Sequence, residues 1–206
     1  QKLKKHMIKN KKILAIIPAR KDSKGLKNKN IKIFNGKPLI CWTIEAAVKS
    51  KLIDKILVST NSKKILKISN SYKGIISHKR SKKLSTSRSE IIDVILFELK
   101  KFKEIDIVIL LQPTSPLRTH KDIDKGISLM IKQGRNSCVS FKSIKYSPST
   151  FYSINSKRKL ENLITNKKKT TNRQNYKKFY HASGDLYISY VNKLKKNKSF
   201  IKKNTL

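Results

Sequence analysis

The chain has 206 residues, of which 50 are Lys or Arg and 12 are Asp or Glu, so its formal net charge is +38. This length allows a sizeable buried core, and a hydrophobic content of 37% excludes a disordered chain. No apolar run approaches the roughly 20 residues of a membrane helix. The two cysteines, Cys41 and Cys138, lie far apart and lack neighbours at metal-ligand spacing. They indicate a reducing, cytoplasmic compartment and no structural zinc.

The positive charge is carried mainly by lysine, with 43 Lys against 7 Arg. A nucleic-acid surface uses more arginine, because the planar guanidinium group reads bases and phosphates. We therefore interpret the excess as a coding bias toward A/T-rich codons, and a nucleic-acid-binding protein is the less favoured alternative. We expect neither a nucleic-acid partner nor a membrane partner.

Strand-like and helix-like segments alternate along the chain. Short continuous apolar runs predict buried strands, and apolar residues recurring at helical spacing predict helices. In chain order the pattern predicts strand 13–18, helix 38–49, strand 56–60, helix 62–71, strand 74–78, helix 89–102, strand 105–111, helix 122–132, strand 137–141 and strand 186–191. The alternation predicts an α/β fold, a three-layer αβα sandwich with a mostly parallel sheet.

Between residues 142 and 180 this alternation weakens, and polar and basic residues with scattered aromatics dominate. The segment is either an excursion from the sheet or a partner-binding arm. We treat residues 1–206 as a single domain that contains this excursion.

One polar loop, residues 18–30, directly follows the first predicted strand. Ligands of open α/β sheets bind beyond the carboxyl ends of the strands. The loop combines a Gly, a Ser, an Arg and several Lys, and its backbone N–H groups and cations could wrap a polyphosphate. It matches neither GxxxxGK[ST] nor GxGxxG. The alternative is an exposed loop that carries lysines without a ligand.

A second polar loop, LQPTSPLR at residues 111–118, follows the most apolar predicted strand. Its two prolines stiffen it and present Gln112, Thr114, Ser115 and Arg118 in defined places. Such preorganised polar groups suit a sugar or a carboxylate. The alternative is a turn that leads into the next helix.

The strings IIPARKDSKGLKNKNI, GKPLICWTIEAA, LLQPTSPLR and GDLYI together resemble the nucleotide-sugar-forming cytidylyltransferases, and above all the CMP-N-acylneuraminate (CMP-sialic acid) synthetase family. The resemblance runs from Ile13 to Tyr190. It implies a nucleotide-diphospho-sugar transferase-like fold and transfer of CMP from CTP to a nonulosonic acid, with release of pyrophosphate. The sister acceptors legionaminic, pseudaminic and octulosonic acid stay open.

The resemblance also implies roles for individual residues. The implied catalytic residues are Arg20, Lys29 and Gln112. The implied CTP-binding residues are Ala19, Arg20, Ser23, Lys24, Lys29, Asn30, Arg80, Ser89 and Ile91. The implied sugar-binding residues are Gln112, Thr114, Ser115, Arg173 and Tyr187. Arg173 is implied to reach the site of a neighbouring subunit in a homodimer, with residues 142–180 as the dimerisation arm.

The sequence departs from the family at three places, one of which is Ile91, where the family often has a Ser. Lys21 and Asp22 precede Ser23, where the family has small residues. The family's Asp-x-Asp pair for catalytic Mg²⁺, which in the family comes after a late strand, has no counterpart in that part of this sequence. We therefore predict no metal-ligating residues and a Mg²⁺ held mainly by the CTP phosphates. We expect a truncated chain that lacks its C-terminal part and has weak activity or none; an inactive CTP-binding remnant is the alternative.

Overall fold

The computed structural model describes residues 10–21, 25–86, 88–146, 150–163 and 178–206. The chain forms two compact units, one made of Gln1–Ser140 with Gly184–Leu206 and the other of Phe141–Ser183. The organisation as one domain with an excursion over residues 142–180 stays a prediction.

The predicted strands and helices occur in the order that the sequence predicts. In chain order the elements are β1 (Ile13–Pro18), β2 (Ile33–Phe34), β3 (Lys37–Pro38), α1 (Leu39–Val48), β4 (Lys55–Thr60), α2 (Lys63–Asn70), β5 (Ile75–Lys79), α3 (Ile91–Leu99), β6 (Ile107–Leu110), α4 (His120–Lys132), β7 (Ser137–Ile144), β8 (Tyr152–Ile154), β9 (Leu160–Asn162), β10 (Phe179–Tyr190) and α5 (Val191–Asn197), with 3₁₀ turns at Lys29–Ile31 and Lys83–Ser85. The structure adds to the prediction the short strands β2 and β3, the pair β8 and β9 and the last helix, α5.

A six-stranded sheet in the order β5-β4-β1-β6-β10-β7 forms the centre of the first unit. β1 runs parallel to both β4 and β6, and β4 runs parallel to β5. β10 runs antiparallel to β6, with Tyr187 opposite Leu110. The predicted α/β fold with a mostly parallel sheet and flanking helices is confirmed.

The sheet is buried on both faces, which explains why its strands are continuous apolar runs. Ile13, Ala15 and Ile17 of β1 belong to one core cluster, together with residues of α1 and α4. Leu14 and Ile16 point to the opposite face, because successive strand residues alternate, and they are also fully buried. α3 contacts β1.

Local capping determines where the helices begin. Ser62 caps α2 and accepts a hydrogen bond from Ile65 N at 3.4 Å. Thr119 and Asp122 form a capping box at the start of α4, so this helix begins two residues before the predicted boundary, at His120. α3 is shorter than the predicted 89–102, because Ser89 instead accepts a hydrogen bond from Thr86 N at 3.2 Å.

The described part of the second unit, residues 141–146, 150–163 and 178–183, contains an antiparallel pair of short strands. β8 pairs with β9, with Tyr152 opposite Asn162 and Ile154 opposite Leu160. No helix within the described ranges is long and apolar enough to cross a membrane.

Candidate active site

A cavity of about 410 Å³ opens beyond the carboxyl ends of the parallel strands of the first unit. Its walls come from the segments that follow β1, β5 and β6 and from the start of α3. Among the residues that the sequence predicts for the site, the cavity brings together Arg20, Lys29, Asn30, Arg80, Ser89, Ile91, Gln112 and Thr114. These residues span 95 positions of the chain, from 20 to 114, so the fold alone makes them neighbours.

Three cations among the described residues line this cavity. The Nη1 atom of Arg20 donates a hydrogen bond to Thr86 O at 3.3 Å. Arg80 is only 5% exposed, and its Nε donates to Ser85 Oγ at 3.2 Å. Burial lowers the pKa of Arg80, although the carboxylate of Glu98 acts in the opposite direction. Together with Lys29, these side chains make an environment suited to a polyphosphate.

The loop after β1 is held in place by internal hydrogen bonds. Asn30, 6% exposed, donates from Nδ2 to Arg20 O at 3.0 Å. Ala19 N donates to Ser59 O at 2.9 Å, and the Ala19 side chain is fully buried in the core. Ala19 is not among the residues that line the cavity. Its predicted contact with CTP therefore stays a prediction, and in this geometry its side chain supports the loop.

The segment from Lys83 to Ile91 forms another wall. Ser89 Oγ donates to Lys83 O at 2.9 Å and lies 2.9 Å from Thr86 Oγ1. The hydroxyl of Ser89 is thus engaged by its own loop. Ile91 is 38% exposed at the start of α3. Backbone groups and an apolar side chain at this wall suit the edge and face of a nucleobase.

A second cavity, of about 610 Å³, lies beside the first and shares Thr114 with it. The predicted sugar-binding residue Ser115 lines only this second cavity. Apolar side chains of α4, β7 and β10 contribute to its walls, among them Leu129, Val139 and Leu186. Thr114 Oγ1 lies 3.5 Å from Gln112 Oε1, so the two cavities meet at the loop that carries both residues.

The predicted role of Tyr187 in sugar binding stays a prediction. The ring of Tyr187 packs against Phe200, with 5.6 Å between the ring centroids, and Tyr187 lines neither cavity. Burial raises the pKa of Tyr187, and the nearby Asp185 adds to this shift. Ser23, Lys24 and Arg173 fall outside the described residues.

Arg118 lines the second cavity, and both Nη atoms of its guanidinium group donate to protein acceptors. Nη1 donates to Gln112 O at 3.3 Å and also to Asp185 O, and Nη2 donates to Thr43 Oγ1 at 3.0 Å. Arg118 is 7% exposed, and burial lowers its pKa to about 10. The sequence indicated a site cation at this position but not these acceptors.

Sequence reasoning also missed Thr86 and Gly184. The carbonyl of Thr86 holds Arg20, and nothing in the sequence distinguishes Thr86 from the other hydroxyl residues of its loop. A Cβ atom at Gly184 would lie 3.8 Å from Gln112 Oε1, and the backbone there has φ +84°. The glycine of the GDLYI string was the available signal, since glycine is the residue that adopts positive φ at little cost.

The described residues do not fit a protein-held magnesium ion. No group of three His, Cys, Asp or Glu side chains within the described ranges could hold a metal. The described lining of the 410 Å³ cavity carries arginine and lysine but no carboxylate, whereas Mg²⁺ prefers carboxylate oxygens and phosphates. The expected contacts between Mg²⁺ and the CTP phosphates stay a prediction.

Comparisons with known proteins show which family the chain belongs to. A family model described as cytidylyltransferase matches residues 14–203. The chain is 36% identical over 199 residues to a CMP-N,N'-diacetyllegionaminic acid synthase of Legionella pneumophila. This match covers 94% of this chain and 84% of the relative. It is 38% identical over 128 residues to an N-acylneuraminate cytidylyltransferase of Escherichia coli, where the match spans 62% of this chain but only 30% of the relative.

A solved structure shows a similar fold. It is a CMP:2-keto-3-deoxy-manno-octonic acid synthetase complexed with CTP, with a TM-score of 0.66 and 19% sequence identity over 91% of this chain and 77% of that one. At this identity the likeness concerns the fold alone.

Proposed function

This chain belongs to the cytidylyltransferase family, and we propose that it transfers CMP from CTP to the anomeric hydroxyl of a nonulosonic acid of the sialic type. In this reaction the anomeric oxygen attacks the α-phosphorus of CTP, and the bond from that phosphorus to the oxygen bridging to the β-phosphate breaks. Pyrophosphate leaves and the hydroxyl proton is released. The observation that supports the proposal is the single cavity that joins Arg20, Lys29 and Arg80 to Gln112.

The three cations act on the nucleotide. Nucleotidyl transfer depends mainly on positioning and on neutralising phosphate charge. Arg20 and Lys29 follow β1 and Arg80 follows β5, so they approach the cavity from two segments. The burial of Arg80 strengthens its attraction for an anion, because little water screens it. The wall from Lys83 to Ile91 takes the base.

The loop after β6 acts on the acceptor. Gln112 and Thr114 line the cavity of about 410 Å³, here named the nucleotide cavity. Thr114 and Ser115 line the cavity of about 610 Å³ next to it, here named the larger cavity. A sugar acid in the larger cavity has its anomeric centre at the shared boundary. There the amide of Gln112 can orient the attacking oxygen toward the α-phosphate.

An N,N'-diacetylated legionaminic acid is a second candidate acceptor. The identity of 36% to the Legionella enzyme extends over 84% of that relative. The apolar side chains Leu129, Val139 and Leu186 in the larger cavity suit acyl methyl groups.

A homodimer is a further part of the proposal. The resemblance to the CMP-N-acylneuraminate synthetase family supports the homodimer, because it implies that residues 142–180 form a dimerisation arm. Arg173 is the residue expected to reach the neighbouring site. Light scattering coupled to size-exclusion chromatography measures the mass directly. A mass of one chain across the working concentration range contradicts the dimer.

The experiment that tests the activity is pyrophosphate release with CTP, Mg²⁺ and a panel of nonulosonic acids that includes N-acetylneuraminic and N,N'-diacetyllegionaminic acid. We expect release with at least one acid, and no release with the acids omitted. Thermal stabilisation by CTP without release from any acid supports the inactive CTP-binding alternative. Salt-sensitive binding of DNA or RNA, without any effect of CTP, contradicts the enzyme.

A further inference from the structure

We propose that Arg118 is a positioning residue, which holds the Gln112 loop at a set distance from the Gly184–Asp185 segment of β10 and thereby places the Gln112 amide for the acceptor. This inference rests on the proposed function, because it assigns Gln112 to the acceptor side. The Arg118 side chain takes no part in binding the nucleotide.

The hydrogen bonds of Arg118 connect three separate parts of the first unit. Nη1 donates to the carbonyl of Gln112, which follows β6, and to the carbonyl of Asp185 in β10. Nη2 donates to Thr43 in α1. A planar guanidinium group can satisfy acceptors on two sides at once, whereas an ammonium group is a compact single charge. The geometry therefore needs arginine in particular.

Arg118 makes no direct ion pair with a carboxylate among the described residues, although the charges of Asp185 and Asp122 partly offset the effect of burial on its pKa. None of the salt bridges among the described residues involves Arg118. Its Nε is buried without a hydrogen-bond partner in the described part of the chain. A buried cation on neutral acceptors carries a desolvation cost that an apolar side chain would avoid. Packing stability alone thus does not account for this residue.

The segments that Arg118 joins are the ones that set the position of the Gln112 side chain. A Cβ at Gly184 would lie 3.8 Å from Gln112 Oε1, so the Gln112 amide lies directly over the Gly184 backbone. The Gln112 carbonyl and the neighbouring Asp185 carbonyl share the Nη1 group of Arg118. If that group is lost, the two segments can separate, and the amide moves with the loop.

The test compares Arg118→Lys with Arg135→Lys, a matched change at an exposed arginine whose Nη1 bonds Asn204 Oδ1 at 2.9 Å. A third variant, Thr43→Val, removes only the Nη2 acceptor and keeps the side-chain shape. The rate of amide hydrogen exchange in residues 111–118 and 184–190 measures how firmly Arg118 holds the two segments, and this measurement does not require turnover. Steady-state kinetics with CTP and the acceptor measures how the position of the Gln112 amide affects KM and kcat.

We expect Arg118→Lys to speed exchange in both segments. We also expect it to raise KM for the sugar acid and to lower kcat by about tenfold or more, since small displacements of a positioned group have such effects. The dissociation constant for CTP should stay within about twofold of the wild-type value, because Arg20, Lys29 and Arg80, the cations assigned to the phosphates, lie on other segments of the 410 Å³ cavity. Thr43→Val should change the exchange rates, KM for the sugar acid and kcat in the same direction but less. Arg135→Lys should leave all of them unchanged.

Unchanged exchange in Arg118→Lys overturns the inference, as does an equal loss of CTP affinity and turnover, which indicates general distortion. If Arg118→Lys does not fold, Thr43→Val decides, and wild-type exchange and kinetics in that variant overturn the inference. A wild-type chain that releases no pyrophosphate contradicts the proposed function itself. Hydrogen exchange then still decides whether Arg118 holds the two segments.

Discussion

Replacing Gly184 with alanine tests whether the backbone of β10 beside Gln112 matters for activity separately from stability. Gly184 has φ +84°, and an added Cβ would meet only Gln112 Oε1, at an ordinary 3.8 Å. Steric overlap therefore contributes little. The cost is conformational, because an L-residue in this left-handed region is disfavoured by about 1–2 kcal/mol.

Gly74 provides a matched control in the loop before β5. It has φ +80°, with nothing within 4 Å of an added Cβ, and it lines neither cavity. Gly74→Ala therefore introduces the same backbone strain at a position remote from Gln112. Each kcal/mol lost should lower Tm by about 2–4 °C in a chain of this size, so the two variants should show similar falls.

The kinetic consequences should differ. In Gly184→Ala the strain is relieved by rotation of the backbone next to Asp185, whose carbonyl accepts from Arg118. We expect kcat/KM for the sugar acid to fall by about tenfold or more, and to remain at the wild-type value in Gly74→Ala. Thermal unfolding and pyrophosphate release, measured on the same preparations, separate the two effects.

Two results refute this reasoning. If both variants unfold at the wild-type temperature, the strain attributed to positive φ is wrong. If Gly74→Ala loses as much kcat/KM as Gly184→Ala, the loss follows from destabilisation and not from the position of Gln112.

Three further predictions concern charge. Lys29→Ala should weaken CTP binding by about tenfold or more, the value of a charge-assisted hydrogen bond, whereas Lys64→Ala on the exposed face of α2 should change it less than twofold. Hydrogen bonds from the Thr119 backbone and side chain lower the pKa of Asp122. The ionised carboxylate therefore stabilises the fold at pH values above its unfolded pKa. This contribution to the free energy of unfolding is lost as the pH falls through the folded pKa. Asp122→Asn should therefore lower the urea midpoint at pH 7 and lose less stability than the wild type on acidification. Glu98, fully buried, accepts from Ser59 Oγ at 2.7 Å and lies 2.7 Å from His78 Nδ1 and 3.4 Å from Lys101 Nζ, so Glu98→Gln should destabilise the chain by about 1–3 kcal/mol in urea unfolding.

Each of these predictions has a result that contradicts it. Equal CTP affinity in the two lysine variants means that the basic loop is generic charge, and isothermal titration calorimetry measures this directly. Parallel pH profiles for wild type and Asp122→Asn mean that the capping box contributes no pH-dependent stability. A urea midpoint for Glu98→Gln that matches the wild type means that the carboxylate charge is not needed for its buried hydrogen bonds.

Much of the first unit could be predicted from the sequence, because its signals are local. A strand buried on both faces must be a continuous apolar run, and Ile13–Pro18 is one. The boundaries were less accurate where side chains compete with backbone hydrogen bonds, as at Thr119 and at Ser89. The carboxyl ends of parallel strands share one edge of a sheet, so the gathering of the loops after β1 and β6 could also be predicted.

The net charge of +38 shows what the tertiary structure alone decides, because the sequence does not say which cations face a ligand. Sequence patterns predict the loops, but only the fold distinguishes Arg80, which lines the 410 Å³ cavity, from Arg118, whose Nη atoms donate to two backbone carbonyls and to Thr43 Oγ1. Both are arginines beside predicted loops. Their difference depends on acceptors from Thr43 and Asp185, which lie 75 and 67 positions away along the chain. Local composition carries no information about such distant partners, because packing brings them together.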